Sequence, residues 1–408
     1  LQLLISNYLT DQSKIHYYRQ IQDRISHIAP FLRLDSDPYL AIIDGRLQWI
    51  ADAYTVSDRY PFSEPVAQSP ESETLLQDPK IAALVGNNVN YIRNSVKVVV
   101  DAYDGTLKFF VMDESEPILN TYRKIFPHLF LPKASIPPEV KAHFRYPQDL
   151  FKIQAQIYLA YHMSNPEEFY NREDLWQFPI QNYEGNEVVM QPYYTIMRLP
   201  GAEQAEFVLI LPFTPTRKDN MISWMAARSN GREYGKLLLY EFPKQKLIFG
   251  PRQIEARIDQ EPQISQQFTL WNQSGSKVIR GDLLVIPIEQ SLLYVEPIYL
   301  RAELGELPEL KRVIVAYDKD VVMADTLETG LNQIFGEAQP QQTDRTVPNA
   351  TVPSSNLAQL AKQALEAYQK AEAASRQGNW AEYGRQQKEL LKFLQQLNPS
   401  SRDFQPNL

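Results

Sequence analysis

Tyr39–Tyr54, YLAIIDGRLQWIADAY, and a near echo, Val96–Met112, VKVVVDAYDGTLKFFVM, decide the fold class. Each run places β-branched and aromatic residues on both sides of an Asp-Gly pair, Asp44-Gly45 and Asp104-Gly105. Both positions of such a pair tolerate the positive φ of a tight turn, so each run reads as an antiparallel β-hairpin. The residues between them, 57–79, are rich in Pro and acid and read as a long loop.

Working outward, Ile15, Tyr18, Ile21, Ile25 and Ile28 step by three or four, which predicts a helix over 12–29 ended by Pro30. Pro117 opens a short helix to about Phe126, and 147–162, PQDLFKIQAQIYLAYH, has the apolar spacing of an amphipathic helix. Beyond it, strands are expected over 188–199, 207–211, 237–240, 267–271, 278–287, 294–302 and 312–316, with helices near 221–228 and 326–335. The fold class is α+β: mixed or antiparallel sheets with packed helices, plus a C-terminal helical hairpin.

The body is expected to cover 1–336, with a sub-boundary near 165–185. Residues 337–356, EAQPQQTDRTVPNATVPSSN, lack hydrophobic periodicity and read as a linker. Leu357, Leu360, Leu365 and Tyr368, then Trp380, Leu390, Leu394 and Leu397, form two helical stripes around Gly378-Asn379, a hairpin over 357–397. Two helices of this length bury too little to stand alone, so docking on the body or on a partner is expected.

Composition bounds the function. The 408 residues are 44% apolar, 11% aromatic and 22% charged, an ordinary globular balance. A net charge of −8 argues against a nucleic-acid binder held by phosphate contacts. The absence of Cys removes disulfides, thiolate zinc sites and cysteine nucleophiles. Nowhere do 18 consecutive apolar residues occur, so a soluble chain is expected, and Leu rather than Met at position 1 suggests a fragment of something longer.

The strings Ile28-Ala-Pro-Phe-Leu-Arg-Leu-Asp35, Asp44-Gly-Arg-Leu-Gln-Trp-Ile50 with Asp52-Ala-Tyr54, Arg59-Tyr-Pro61, Tyr91-Ile-Arg-Asn-Ser-Val-Lys97 and Asp101-Ala-Tyr-Asp-Gly105 resemble one family, the uncharacterised protein family 182. Arg145-Tyr-Pro-Gln-Asp-Leu-Phe151, Tyr234-Gly-Lys236 and Gly250-Pro-Arg-Gln-Ile-Glu-Ala-Arg257 extend the resemblance over almost the whole chain. It implies bacterial multipass membrane proteins of unknown function, with an N-terminal membrane part followed by a large soluble region. It implies an extracytoplasmic placement for this region if the omitted spans are odd in number, and it supplies no catalytic residues.

The chemistry-bearing residues are sparse. Five His are scattered without metal-ligand spacing, and there is no nucleophile elbow, phosphate loop or dinucleotide fingerprint, so no cofactor is implied. Asp35-Ser36-Asp37 is a DxD string whose carboxylates, Asp35 and Asp37, suit a divalent cation, although Asp before Pro38 also suits a turn. Residues 35–78 carry nine acids against two Arg, a local charge of −7. Residues 214–246 carry a local +4, and Arg217, Lys218, Arg228, Arg232 and Lys236 form a candidate site for an anionic headgroup or glycan. The 23 Tyr suit strand positions in a core, or an aromatic cleft for carbohydrate or peptide.

The leading expectation is a non-enzymatic, extracytoplasmic domain of a multipass membrane protein, acting in interaction or assembly at the cell envelope. Its partners would be its own N-terminal membrane part, lipid headgroups or envelope proteins, and not nucleic acid. The alternative is an envelope enzyme acting on a glycan or lipid-linked substrate with a divalent metal. A coordinated metal at Asp35 and Asp37, or carboxylates converging in a deep cleft, would favour the enzyme.

Overall fold

The computed structural model describes residues 10, 13, 17–243, 245–273, 275–288, 291–302, 307–336, 362–363, 366–371 and 380–397. The chain divides into two units, Leu1–Ala338 and Gln339–Leu408. Among the described residues, no helix is long and apolar enough to cross a membrane.

In the first unit, the two hairpin runs build one sheet from β1 (Arg33–Leu34), β2 (Tyr39–Ile43), β3 (Arg46–Ser57), β4 (Tyr91–Asp101), β5 (Leu107–Val111) and β6 (Phe130–Leu131). All its pairs are antiparallel except β5–β6, which is parallel. Asp44 at φ 50° and Gly45 at φ 73° close β2–β3 as a two-residue turn, the conformation the Asp-Gly pair predicts. The second hairpin forms with a longer turn. β4 and β5 last pair at Val100–Leu107, the Asp101 carboxylate accepts from the N–H groups of Tyr103 and Asp104, and only Gly105 takes positive φ.

One face of this sheet carries Ala51, Ala53, Val96, Val98 and Phe109, packed with Ile25 and Leu119 of the helices Ile21–Ile28 and Pro117–Ile125. The other carries Ile43, Ile50, Val99 and Phe110 under Ile136, Val140 and Phe144. The first helix is shorter than its periodicity predicts. Tyr18 lies in the left-handed region at φ 51° and Gln20 is extended, and Arg24 reaches back to the carbonyls of Tyr17 (2.9 Å) and Gly105 (2.7 Å).

A second sheet joins β7 (Trp176–Gln177), β10 (Tyr193–Met197), β11 (Glu206–Pro215), β12 (Ser223–Arg228) and β13 (Leu237–Glu241). Leu209, Leu211, Phe213, Met225 and Ala227 face the helix Gln148–Tyr161, whose Phe151 and Ile153 are fully buried. Val208, Ile210, Trp224 and Ala226 face the opposite way. There they meet Ile254 and Ile258 of the helix Pro251–Gln260 and a third sheet, β14 (Ser276–Arg280), β15 (Leu284–Ile288), β16 (Ser291–Ala302), β17 (Glu309–Tyr317) and β18 (Asp320–Ala324). The helix Leu327–Phe335 covers the far side of that third sheet through Leu331 and Ile334. Each fully buried Phe or Ile contributes about 1.5–3 kcal/mol, so these alternating faces, not local propensity, hold the layers.

The α+β class stands, with three local corrections. Where a helix was expected over 221–228, residues 223–228 form strand β12 and Met221 makes an isolated bridge to Ile248. Because the strand is buried on both faces, it reads as a continuous apolar run rich in Met and Ala, which mimics a helix. Residues 267–271 belong to the helix Pro262–Gln273, opened by Pro262. The expected strands 188–199 and 278–287 are each broken in two, the latter at Gly281, where a Cβ would lie 2.8 Å from the Pro297 side chain.

In the second unit the described residues include the helix Trp380–Leu397 and a helical run over 366–371. The expected linker 337–356 and the turn at Gly378-Asn379 lie outside the described residues.

Candidate functional site

A cluster of buried charges gathers on one face of the first sheet, where it meets the start of the helix Gln148–Tyr161. Lys97 on β4 stands opposite Asp52 on β3 in the strand register, with Nζ 2.6 Å from the Asp52 carboxylate. Neither reaches solvent: Lys97 is 0% and Asp52 3% exposed. Lys97 also donates to the backbone carbonyl of Arg145 at 2.7 Å and lies over the Phe144 and Tyr234 rings.

Asp35 follows β1, because the backbone bond from its N–H to the Asp52 carbonyl extends the β1–β3 pairing. One of its carboxylate oxygens accepts from the Asp37 N–H (3.0 Å); the other accepts from the buried Tyr54 hydroxyl and the Asp149 N–H (3.2 Å). Asp149, in the first turn of its helix, accepts in return from the Ser36 N–H (2.8 Å) and hydroxyl (3.1 Å). Arg145 stacks 3.9 Å over the Tyr39 ring and holds Asp37 at 2.6 Å. Four segments far apart in sequence are thereby tied at one point.

Burial sets the electrostatics. Desolvation, followed by the negative charge of Asp52, pushes the Asp35 carboxyl above the ordinary range, and desolvation with the charge of Asp35 does the same to Asp149. Burial lowers the Lys97 ammonium, against the pull of Asp52. Raised carboxyls beside a lowered amine are the pattern of a general acid–base site. Here, however, Asp35, Asp52, Lys97 and Tyr54 are each at most 3% exposed, and the oxygens of Asp35 accept from groups of the chain itself.

The structure brings Asp35 and Asp37 into one network but aims them at a hydroxyl, backbone N–H groups and a guanidinium. Among the described residues, no group of three or more His, Asp or Glu is arranged to hold a metal ion. Of the basic set, Arg217 and Lys218 are exposed on the turn before β12, whereas Arg228 and Lys236 lie at and beyond its other end. Six residues of strand separate them, roughly 20 Å. Arg228 is paired with Glu206 and, at 3.2 Å, with Glu233; Lys236 lies 2.5 Å from Glu233. Arg232 sits on the short helical turn Gly231–Glu233 between them.

A second network lies against the third sheet. Arg280 on β14 holds Glu296 on β16 at 2.5 and 2.9 Å and Asp259 at 2.7 Å. Next to it Glu255 accepts from the N–H of Asn182 at 2.7 Å, and desolvation pushes its carboxyl up to about 7. Asn182 belongs to a two-stranded hairpin, β8 (Ile180–Tyr183) and β9 (Asn186–Val189), which sequence reading missed although Glu184-Gly185 takes the positive φ of a tight turn.

This hairpin borders a cleft of about 630 Å³, which is ligand-sized. Lys152 and Gln156 line it from the same helix that starts at the Asp149 network. Gln181, 3% exposed, lines it from the hairpin and donates to Asp282 at 2.8 Å. A spacing of 149, 152 and 156 puts the three side chains on one helix face. Of these, Lys152 and Gln156 line the cleft, whereas the Asp149 carboxylate is turned to Ser36.

The family described as Uncharacterised protein family (UPF0182) matches residues 1–271, and the chain belongs to it, as the quoted strings indicated. The chain is 64% identical over 397 residues to a UPF0182 protein of Trichodesmium erythraeum, covering 97% of this chain and 43% of that relative. It is 50% identical over 398 residues to one of Moorella thermoacetica (97% and 42%), and 49% identical over 387 residues to one of Methanospirillum hungatei (94% and 41%). The chain thus spans less than half the length of these relatives. No solved structure matches it.

Proposed function

We propose that this chain is a non-catalytic interaction region of a membrane protein, placed on the extracytoplasmic side and working in assembly at the cell envelope with its own membrane part, lipid headgroups or envelope proteins. One observation carries the non-catalytic part of this reading. The buried groups of the first-sheet network whose ionisation burial perturbs, Asp35, Asp149 and Lys97, are spent on each other's segments: a hydroxyl, backbone N–H groups and a backbone carbonyl take their hydrogen bonds. Groups so used hold strands and a helix in register, and they offer no substrate a place within proton-transfer distance.

Two measurements test it. Mg²⁺, Mn²⁺ and Ca²⁺ are titrated against the purified chain by calorimetry, and the expected result is no saturable heat that the Asp35→Asn variant abolishes. A reporter fused after Leu408 in the full-length protein is expected to be active outside the cytoplasm. Metal binding lost with Asp35, or a cytoplasmic reporter signal, overturns the corresponding part.

A further inference from the structure

We propose that the tip of the β8–β9 hairpin, residues 182–187, is a pH-controlled latch on the cleft, which Glu255 holds shut while protonated and releases once ionised. The inference goes beyond the interaction reading above and does not depend on it.

The hairpin stands apart from the three sheets. β8 and β9 pair only with each other, and Pro179 and Pro192 flank them. A two-stranded hairpin is at best marginally stable by itself, so its neighbours decide whether it stays in place. Its base is well tied. Gln181 donates to Asp282 at 2.8 Å and accepts from the Leu283 N–H at 3.2 Å, and the Met190 N–H donates to the Pro179 carbonyl at 2.9 Å.

The tip has fewer ties. Asn182 lies opposite Glu187 at a position whose N–H points away from β9, and it donates to Glu255 at 2.7 Å. The Glu184 N–H donates to the Arg280 carbonyl at 3.2 Å. Glu187 meets Arg252 at 3.0 Å, but both side chains are at least half exposed, so that pair contributes little. Glu255, 5% exposed, is thus the buried side chain on which the tip hangs. The same hairpin forms one wall of the 630 Å³ cleft through Gln181, Tyr183, Glu187, Val188 and Val189, so a tip that lifts from Glu255 moves that wall.

The surroundings make the charge of Glu255 decisive. It faces Arg280 of β14, Glu296 of β16 and Asp259 one turn along its own helix. Arg280 already holds Glu296 at 2.5 and 2.9 Å and Asp259 at 2.7 Å, so ionising Glu255 brings the four groups to −2. The other cations of its helix are engaged elsewhere, Arg252 with Glu187 and Arg257 with the carbonyls of Asp318 and Lys319. The helix Pro262–Gln273, packed against it, carries no charge. Burial, followed by the charges of Glu296 and Asp259, raises the carboxyl to about 7, against the Asn182 N–H and Arg280. Lifting the tip lets water reach the carboxylate and returns it towards 4.5. The closed form then holds a proton that the open form releases, so opening is favoured increasingly from about pH 4.5 to 7 and levels off above. The full effect on the opening equilibrium is on the order of a hundredfold.

The test is native-state hydrogen exchange of the 408-residue chain between pH 4.5 and 8, with intrinsic rates divided out. Mass spectrometry follows peptides covering 180–189 and 206–215, with and without low urea. Exchange in the hairpin is expected to rise on the order of a hundredfold up to pH 7, to level off, and to be insensitive to urea, because a local opening exposes little surface. Residues 206–215 should exchange more slowly and respond to urea. Methyl NMR of Val188 and Leu211, on facing walls of the cleft, should shift with the same midpoint. Glu255→Gln should fix the hairpin at its acid-side exchange rate; if this variant does not fold, the parent curve alone decides. Hairpin exchange that is flat with pH, or that follows urea as residues 206–215 do, overturns the latch. So do cleft methyls that ignore the transition, or a folded Glu255→Gln chain that keeps it.

Discussion

Lys97 and Asp52 face each other across β3 and β4, 2.6 Å apart and sealed from water, although they stand 45 positions apart in the chain. Removing one partner leaves the other charged and unsolvated, which costs about 3–5 kcal/mol, whereas removing both costs far less. Lys97→Met is therefore expected to lower the denaturant midpoint strongly. Adding Asp52→Asn should restore most of the loss, and additive losses in the double-mutant cycle would contradict the coupling.

Tyr54→Phe deletes the hydroxyl donated to Asp35 and leaves a buried carboxylate oxygen one donor short, so a loss of about 1–3 kcal/mol is expected in chemical unfolding. A change below 0.5 kcal/mol would show the bond to be incidental.

Glu255 gives the pH dependence. Its carboxyl is raised from 4.5 to about 7, chiefly by burial. A raised folded-state value means that the group's contribution is fully present below about pH 4.5 and is lost as pH rises to about 7. Glu255→Gln retains an acceptor for the Asn182 N–H and cannot ionise. The stability of the variant relative to the parent should therefore rise across that window, by on the order of 3 kcal/mol, and level off above it. A difference that is flat with pH would refute the assignment.

Gly250 precedes the helix Pro251–Gln260, and a Cβ there would lie 1.8 Å from the Asp219 carbonyl oxygen. Backbone must shift to make room. Gly250→Ala is expected to cost about 3 kcal/mol and to slacken the Met221–Ile248 bridge, read as faster amide exchange at Met221.

Much of the fold was legible. Asp44-Gly45 announced its turn because few dipeptides accept two positive φ values in succession, and the 3.6-residue spacing of Leu150, Ile153 and Ile157 announced its helix. Residues 221–228 misled because a strand between two cores loses its alternation, and 267–271 because five residues are too few to carry a period. Asp35 was noticed as half of a DxD string, but not as the acceptor for Tyr54 and Asp149. That role depends on a segment more than a hundred residues away.

The sequence by itself determined the α+β class, the two hairpins and the family, all of which rest on local pattern or on strings of neighbouring residues. Only tertiary structure decided where the charges went. Lys97 and Asp52 each sit in an apolar alternation that suggests an exposed polar face. They become a buried pair because the segment around Phe144 and the helix Gln148–Tyr161 close over that face of the sheet. The cleft has the same origin. Lys152, Gln181 and Asp282 are unremarkable singly and form one wall only after helix, hairpin and third sheet have packed, because burial and proximity are properties of the assembled layers.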